Sequence, residues 1–230
     1  MTTFVTEMIQ IETNKIYNED CITGMKKLPD NSVDLVLTDI PYGEVNRESN
    51  GLRNLNKLDG DIVTFDITKL SNELIRVSKG SIYIFCGTEQ VSYIRKVFVK
   101  NKLSTRLLIW EKTNPSPMNG EHIWLSSIEC CVFGKKSGAT FNEFCSSAVL
   151  REQVELNQKH PTQKPKKLFR RLIKASSNEG DIVLDCCMGS GTTAIACKEL
   201  NRKYIGFEIS AEYMEIINKR LMQECLRSFI

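Results

Sequence analysis

Short apolar segments alternate with amphipathic segments along most of the chain. Apolar runs of strand length occupy residues 15–20, 33–38, 81–86, 106–111, 128–135, 181–186 and 203–208. Helical periodicity is found over residues 22–28, 67–77, 88–100, 165–177, 192–200 and 211–227. This alternation predicts an α/β protein with a doubly wound, mostly parallel sheet. The segments 106–111 and 128–135 are hairpin-like, and we expect them to hold the one antiparallel strand.

Four of the predicted strands end in an acidic residue: Asp20, Asp39, Asp185 and Glu208. In an open parallel sheet the carboxyl ends of the strands meet at one edge, and the ligand crevice lies there. A single acid in such a place is most often a helix cap or part of a solvated turn. Four of them on one edge indicate a crevice that binds a nucleoside and a second amine-bearing group.

The first strand-end motif, Asp39-Ile40-Pro41-Tyr42, follows an apolar run that is predicted to be buried on both faces. The exocyclic amine of adenine or cytosine is a poor nucleophile, because its lone pair is delocalised into the ring. An ionised Asp39 and the Ile40 carbonyl can accept its two hydrogens and turn the lone pair outward. Pro41 restricts the local backbone, and Tyr42 offers a face for stacking. An ordinary strand followed by a proline turn is the structural alternative.

The second motif is a glycine turn after the strand 181–186, running from Asp185 through Gly189, Ser190 and Gly191. The glycines permit close approach of a ligand to the backbone, and the next helix begins with unpaired N–H groups. The pattern of a nucleoside triphosphate loop is missing, and Ala194 stands where the third glycine of a dinucleotide site is expected. Glu208 follows at about the distance at which an acid commonly accepts from ribose hydroxyls. The turn therefore predicts a nucleoside cofactor.

These two motifs resemble those of the amino-methylating DNA methyltransferases that use S-adenosylmethionine, in the circularly permuted beta arrangement with the catalytic motif first. The resemblance spans nearly the whole chain. The family's catalytic signature is Asp/Asn/Ser-Pro-Pro-Tyr/Phe, and Ile40 replaces its first proline. Its cofactor signature, Asp-Pro-Phe-x-Gly-Ser-Gly-Thr-Thr, is matched except that Cys186 and Cys187 replace Pro-Phe. The resemblance implies the Rossmann-like class I methyltransferase fold in permuted form.

The resemblance also implies a role for each cofactor residue. Asp20 and Cys21 would lie beside the adenine of S-adenosylmethionine, Glu208 on its ribose hydroxyls and Asp185 near its methionine amino group. The run His160-Pro-Thr-Gln-Lys-Pro165 is similar to a family segment that faces the methionine end. The remaining cofactor-binding residues implied are Thr162, Gln163, Lys164, Gly189, Ser190, Gly191, Thr192 and Thr193.

For the substrate, the resemblance implies site-specific methylation of double-stranded DNA at adenine N6 of a flipped base. In this family Asp at the first catalytic position goes mostly with adenine N6 and Ser mostly with cytosine N4, so Asp39 favours adenine. Cytosine N4 is the close alternative. Methylation of RNA or of a protein glutamine, and an inactive relative that only binds DNA or a partner, are remoter ones. A restriction-modification enzyme of the cytoplasm of a bacterial or phage-infected cell is implied.

Three polar loops, about 44–60, 113–127 and 137–159, are predicted to face DNA. The first carries Arg47, Arg53 and Lys57, and Lys112 and Asn114 stand at the start of the second. A solvated loop is the alternative for each of them. The third loop is short, which leaves little surface for base readout and predicts a short target.

Composition indicates one domain, 1–230, because a chain of 230 residues with 41% hydrophobic residues can bury one good core. The net charge of +3 and the pI near 8.3 permit nucleic-acid binding without requiring it. We find no signal peptide and no run apolar enough for a membrane span. The late helix 211–227 is a candidate surface for a homodimer.

Nine cysteines are scattered along the chain, with two adjacent pairs and no Cys-x-x-Cys spacing. Zinc sites are built from paired Cys or His ligands, and His122 and His160 lack such partners. We therefore predict reduced, mostly buried thiols and no metal site.

Overall fold

The computed structural model describes residues 12–42, 65–117, 120–155 and 163–227, with side chains described to residue 224. Several predicted functional residues lie outside these ranges. They are Arg47, Arg53 and Lys57 of the loop 44–60, and Thr162 of the segment before the fourth helix. No helix within the described ranges has both the length and the apolar character of a membrane span.

The described residues form eight strands and six helices. The strands are β1 (Lys15–Tyr17), β2 (Val33–Asp39), β3 (Ser78–Cys86), β4 (Ser104–Lys112), β5 (Ile128–Lys135), β6 (Val149–Glu152), β7 (Ile182–Asp185) and β8 (Lys203–Phe207). The helices are α1 (Cys21–Met25), α2 (Ile67–Val77), α3 (Val91–Lys100), α4 (Lys166–Ser176), α5 (Thr192–Glu199) and α6 (Ala211–Arg227).

All eight strands belong to one sheet in the order β1-β8-β7-β2-β3-β5-β4-β6. Every pairing is parallel except the two that β5 makes, with β3 and with β4. Among the described strands β5 is thus the one that runs against the others, as the sequence predicts. Helices cover both faces, which confirms the doubly wound, mostly parallel architecture.

The central strand β2 shows how the sequence specifies both faces. Val36 packs into the core beneath α1, α2 and α3, whereas Leu35 and Leu37 pack into the core beneath α4, α5 and α6. All three side chains are fully buried. Burial of each one stabilises the fold by about 1.5–3 kcal/mol. A strand buried on both faces has little freedom to shift its register, so its carboxyl end at Asp39 is held in place.

Helix α4 brings a polar segment to the same end of the sheet. Its apolar positions Leu168, Phe169, Leu172 and Ile173 recur at helical spacing and are buried against the sheet. Pro165 precedes the first turn, a position that tolerates proline because no intrahelical N–H is needed there. The residues just before Pro165, Gln163 and Lys164, are consequently anchored at the carboxyl edge.

One strand was not predicted from the sequence, and several other elements begin or end up to three residues from their predicted bounds. Strand β6 lies in a stretch that we predicted to be polar loop, and it pairs with β4 at the edge of the sheet. Only Leu150 of its four residues is buried, so no apolar alternation marks it. Strand β1 ends at Tyr17 instead of residue 20, because Asp20 caps α1 by accepting a hydrogen bond from the Thr23 N–H at 2.9 Å.

The direction of β5 determines where residues 137–148, part of the third loop predicted to face DNA, begin. Its first residues pair with the carboxyl end of β3, whereas Lys135 pairs with Ser81 towards the other end. From there the chain packs along α4, where Asn142 donates to the Lys174 carbonyl and Glu143 pairs with Arg171. Residues 137–148 thus start away from Asp39, and the DNA-facing role of the third loop stays a prediction. Residues 156–159 lie outside the described ranges.

Candidate active site

A crevice opens at the carboxyl edge of the sheet, between the ends of β2 and β7 and the start of α4. The predicted catalytic turn and glycine turn both line it. Lining residues are Asp39, Ile40, Pro41, Tyr42, Gln163, Lys164, Phe169, Asp185, Cys187, Met188, Gly189, Ser190, Thr192, Thr193, Glu208 and Tyr213. The structure therefore brings together residues from both ends of the chain that the sequence assigned to two separate motifs.

The catalytic turn is braced on its backbone. The Ile40 N–H donates to the Phe85 carbonyl at 3.1 Å, which extends the pairing of β2 with β3 by one residue. The Gln90 side-chain amide donates to the Pro41 carbonyl at 3.0 Å, and its oxygen accepts from the Gly87 N–H at 2.9 Å. These contacts fix the direction in which the chain leaves the strand, so the Asp39 carboxylate is presented to the crevice.

Both oxygens of the Asp39 carboxylate have partners in the structure. Lys164 Nζ lies 2.6 Å from Oδ2, and the Tyr42 hydroxyl donates to Oδ1 at 2.8 Å. Lys164 is only 5% exposed, and its Nζ also lies 5.1 Å from the centre of the Tyr42 ring. Burial raises the pKa of Asp39 above its ordinary value, whereas Lys164 acts to lower it. The ammonium thus favours the ionised form that an acceptor for a base amine requires.

Glu129, near the start of β5, completes this charge cluster and was missed by the sequence analysis. Its Oε2 lies 3.0 Å from Lys164 Nζ and its Oε1 lies 2.8 Å from Lys112 Nζ. Burial alone would raise its pKa, but the two ammonium groups outweigh burial and hold that pKa at about 2. A glutamate beside Cys130, Cys131 and Val132 in an otherwise apolar strand was the available signal.

The glycine turn needs its glycines for conformational reasons. Gly189 and Gly191 have φ values of 52° and 81°, in the left-handed region that side-chain-bearing residues rarely adopt. A Cβ at Gly191 would also meet Ile217 at 3.1 Å. The turn can therefore bend sharply into α5 and present its backbone to the crevice.

Asp185 is the buried carboxylate of the glycine turn, with 2% of its surface exposed. Its oxygens accept from the Cys187 N–H at 3.1 Å and the Thr193 hydroxyl at 2.5 Å. Burial raises its pKa to about 7, although these uncharged donors oppose the shift. A carboxylate in this setting favours a cationic ligand, because an ammonium group would restore its ordinary acidity.

Glu208, after β8, is also buried beside the turn. Its carboxylate accepts from the Gly189 N–H at 2.7 Å and from the Ser210 N–H at 2.9 Å. It lines the crevice together with the Ser190 and Thr192 hydroxyls, whose oxygens lie 3.3 Å apart. Phe169, Met188 and Tyr213 contribute apolar surface to the crevice. The sequence motifs did not predict these three residues.

The other predicted cofactor residues are placed less uniformly. Gln163 lines the crevice, and its amide donates to Glu155 at 2.8 Å. Lys164 faces Asp39 and so lies nearer the catalytic turn than the resemblance implied. Asp20 is exposed, caps α1 and is not among the crevice-lining residues, whereas Cys21 directly after it is buried.

Two residues predicted to contact DNA make internal contacts. Lys112 pairs with Glu129 and keeps only 15% of its side chain exposed. The Asn114 amide bonds to the Val154 backbone in both directions, at 3.0 and 2.7 Å. By contrast, the same loop carries Trp124, which is 96% exposed and was not singled out from the sequence.

Fold and site together define a class I methyltransferase. Comparisons with known proteins narrow this class. The family described as DNA methylase, of the N6/N4 type, matches residues 123–219. The type II methyltransferase M.HpaI of Haemophilus parainfluenzae is 32% identical over 234 residues, covering 89% of this chain and 73% of its own. The type II methyltransferase M.HinfI of Haemophilus influenzae is 31% identical, and the match covers 91% of this chain and 68% of M.HinfI.

Solved structures agree with this result. The crystal structure of the M1.HpyAVI–SAM complex is 30% identical, has a TM-score of 0.69, and is matched over 90% of this chain and 98% of that one. The cytosine-N4-specific PvuII DNA methyltransferase has a TM-score of 0.68 at 19% identity and shows the shared fold. The chain belongs to the amino-methylating DNA methyltransferase family, whose methyl donor is S-adenosylmethionine.

The residues of the crevice fit that cofactor. Asp185 is a buried carboxylate whose described partners are uncharged, as suits a ligand with an ammonium group. Glu208 offers a carboxylate to hydroxyls, and the glycine turn leaves its backbone accessible.

Proposed function

We propose that this methyltransferase modifies adenine N6 in double-stranded DNA, with Asp39, Ile40, Pro41 and Tyr42 as its catalytic turn. The observation that supports the proposal most is the Asp39 carboxylate, which is half-buried at the end of β2 and opens onto the same crevice as the glycine turn. Asp at this position favours adenine over cytosine within the family. The target adenine is flipped out of the helix to reach this carboxylate in the crevice.

The catalytic turn prepares the amine nitrogen for attack. Asp39 accepts one amino hydrogen and the Ile40 carbonyl accepts the other, so the nitrogen lone pair turns away from the ring. Tyr42 stacks on the base and holds its plane. Pro41, braced by Gln90, keeps the Ile40 carbonyl in position. After transfer the nitrogen loses a proton, and Asp39, whose pKa burial raises, can receive it.

The glycine turn holds the cofactor, which supplies an electrophilic methyl group when bound. Asp185 receives the methionine ammonium, Glu208 the ribose hydroxyls, and Gln163 and Lys164 approach the methionine end. The turn and the start of α5 contribute Gly189, Ser190, Gly191, Thr192 and Thr193. Asp20, Cys21 and Thr162 complete the proposed set, with Asp20 reaching the adenine from its position at the start of α1.

For DNA binding we propose the loops 44–60 and 113–127. Lys112 and Asn114 support the second loop from inside, while Trp124 presents an exposed aromatic ring at the catalytic edge. Arg47, Arg53 and Lys57 supply phosphate contacts from the first loop. A homodimer through α6 remains our prediction, and sedimentation of the purified protein tests it.

The product of the reaction tests the proposal. DNA methylated by the purified enzyme should yield N6-methyladenine as its main modified nucleoside after digestion and mass spectrometry. Asp39→Ala should lower kcat by at least a hundredfold with cofactor affinity within a few-fold, because Asp39 faces the base.

Other results would redirect the assignment. Mainly N4-methylcytosine would replace adenine by cytosine with the same turn. Labelled methyl transfer to RNA or to a protein glutamine, or to no acceptor at all, would support one of the remoter alternatives. Loss of cofactor binding by Asp39→Ala would mean that Asp39 belongs to the cofactor site.

A further inference from the structure

The Tyr42 hydroxyl occupies the carboxylate oxygen of Asp39 that a base amine needs. Oδ2 is paired with Lys164 at 2.6 Å, and Oδ1 accepts from Tyr42 at 2.8 Å. Oδ1 can accept two hydrogen bonds, but it accepts most strongly from an amino hydrogen when the Tyr42 hydroxyl has turned to another acceptor. A partly buried hydroxyl that turns away without a new partner would lose a hydrogen bond worth about 0.5–1.5 kcal/mol. A second acceptor within reach of the Tyr42 hydroxyl would therefore favour entry of the base.

Glu129 is that second acceptor. Its Oε2 lies 3.2 Å from the Tyr42 hydroxyl, so rotation of the O–H bond moves the hydrogen bond from Asp39 to Glu129. The Glu129 carboxylate is fixed in position by two ion pairs, with Lys112 at 2.8 Å on one oxygen and Lys164 at 3.0 Å on the other. Two cations and two carboxylates balance in the cluster, and the pKa of about 2 keeps Glu129 ionised.

We propose that Glu129 is a positioning residue that takes over the Tyr42 hydroxyl as the target base enters, which frees Asp39 Oδ1 for the amine. Lys164 pairs with both Glu129 and Asp39, so its ammonium group neutralises Asp39 only in part. Asp39 can therefore still accept a hydrogen bond from the amine. This inference rests on the proposed function, because it assigns the step that makes the catalytic turn ready for its base.

A double-mutant cycle tests this role. Glu129→Gln should lower kcat about tenfold or more in the natural Tyr42 background. With Tyr42→Phe present, no hydroxyl blocks Oδ1, and Glu129→Gln should then cost no more than about threefold. A merely structural Glu129 would cause the same loss in both backgrounds, since double-mutant cycles report only coupled residues. Glu111→Gln, on neighbouring β4 with a surface partner in Arg151, is the matched control and should leave kcat unchanged.

The cycle can be protected against unfolding. Glu129→Gln leaves two ammonium groups facing one carboxylate, which could destabilise the cluster. A second cycle therefore repeats the pairing of Glu129→Gln with Tyr42→Phe in a Lys112→Gln background. In that background Glu129→Gln leaves one ammonium group and one carboxylate, so the charges balance. Additive losses in both cycles would overturn the inference. Absence of methyl transfer to DNA by the unmodified protein would instead overturn the proposed function, so the two failures are distinguishable.

Three thiols lie close together beside the cofactor crevice. The sulfur atoms of Cys21, Cys186 and Cys187 all lie within 4.8 Å of one another, and those of Cys186 and Cys187 are 3.9 Å apart. Cys21 begins α1, whereas the other two follow β7, and Cys187 lines the crevice. Sequence spacing did not predict this cluster, because only the fold brings the start of α1 to the end of β7.

The spacing of these thiols suits a thiophilic metal ion. Three sulfur atoms whose separations do not exceed 4.8 Å surround a point that lies within about 2.8 Å of each of them, and zinc–thiolate bonds are about 2.3 Å long. Thiolates prefer zinc-like or cuprous ions to magnesium or calcium. The geometry points to a three-thiolate site for a zinc-class ion in the crevice wall, whose occupancy competes with S-adenosylmethionine through Cys187.

Titration of the reduced full-length protein with Cd²⁺ tests this second inference. Near-ultraviolet thiolate-to-metal absorption should rise to one ion per chain, and bound Cd²⁺ should weaken cofactor binding at least tenfold. Cys21→Ser and Cys187→Ser should each weaken Cd²⁺ binding at least tenfold. Cys145→Ser, which changes an exposed thiol outside the cluster, should leave it unchanged. Equal Cd²⁺ binding by all of these variants, or no thiolate absorption in the unmodified protein, would refute the site.

Discussion

Three carboxylates of the crevice region show how surroundings decide the charge of one chemical group. Glu129 has two ammonium partners and a pKa of about 2, and Asp39 shares one ammonium with it. Asp185 has only uncharged donors among its described partners, and burial raises its pKa to about 7. Asp185, the carboxylate proposed to bind the cationic cofactor, is thus the one of the three without a cationic partner among the described residues.

This difference predicts a pH dependence of cofactor binding. Below about pH 7 Asp185 is protonated in the free protein and must release a proton to receive the ammonium, so affinity should rise as the pH approaches 7. Above about pH 8 affinity should fall, because the cofactor's α-amino group loses its own proton. Isothermal titration across this range measures the profile.

Asp185→Asn supplies the control for that measurement. Removal of a charge-assisted contact worth about 1.5–3 kcal/mol should weaken cofactor binding about ten- to a hundredfold and abolish the rising limb below pH 7. A profile that is the same with Asp and Asn at this position would contradict the assignment of Asp185 to the ammonium.

At the scale of elements, prediction from the sequence succeeded where the apolar pattern is strong and failed where few side chains are buried. Strand β2 is an apolar run and helix α2 has apolar residues at helical spacing. The bounds of both match the prediction to within a residue. Strand β6 has one buried side chain, and its pairing with β4 depends on partners that only the fold supplies. Glu129 was missed for the same reason, since the meaning of a buried acid depends on which cations reach it.

The loop between β4 and β5 carries a prediction about DNA affinity. Exposed indole rings stack on bases with about 1–3 kcal/mol each, so Trp124→Ala should weaken DNA binding about ten- to a hundredfold with unchanged cofactor affinity. Phe144→Ala is the matched control, because Phe144 is 92% exposed but lies on the segment that packs along α4. Fluorescence anisotropy with labelled duplex DNA measures both, and equal losses would deny Trp124 a specific role.

For the whole molecule, the limited surface available for base contacts predicts a short target and a steep dependence on salt. Each bidentate base contact discriminates by only about 1–3 kcal/mol, so we expect about four specified base pairs or fewer. Phosphate contacts should then supply much of the affinity, and each one lost changes the slope of log K against log salt by about 0.9. Methylome sequencing and binding at several salt concentrations test this, and one fully specified site of six or more base pairs would refute it.

The reversed direction of β5 also has a consequence for how such an enzyme could change its target over evolutionary time. The β4–β5 connection leaves and re-enters the sheet at the catalytic edge, and the Lys112 N–H bonds to the Ser127 carbonyl at 2.7 Å to close its base. Insertions in a hairpin connection closed in this way cost little stability, since the closure entropy grows slowly with length. A new stretch of recognition sequence can therefore be acquired between residues 113 and 127 while the sheet, the cofactor crevice and the catalytic turn are inherited unchanged.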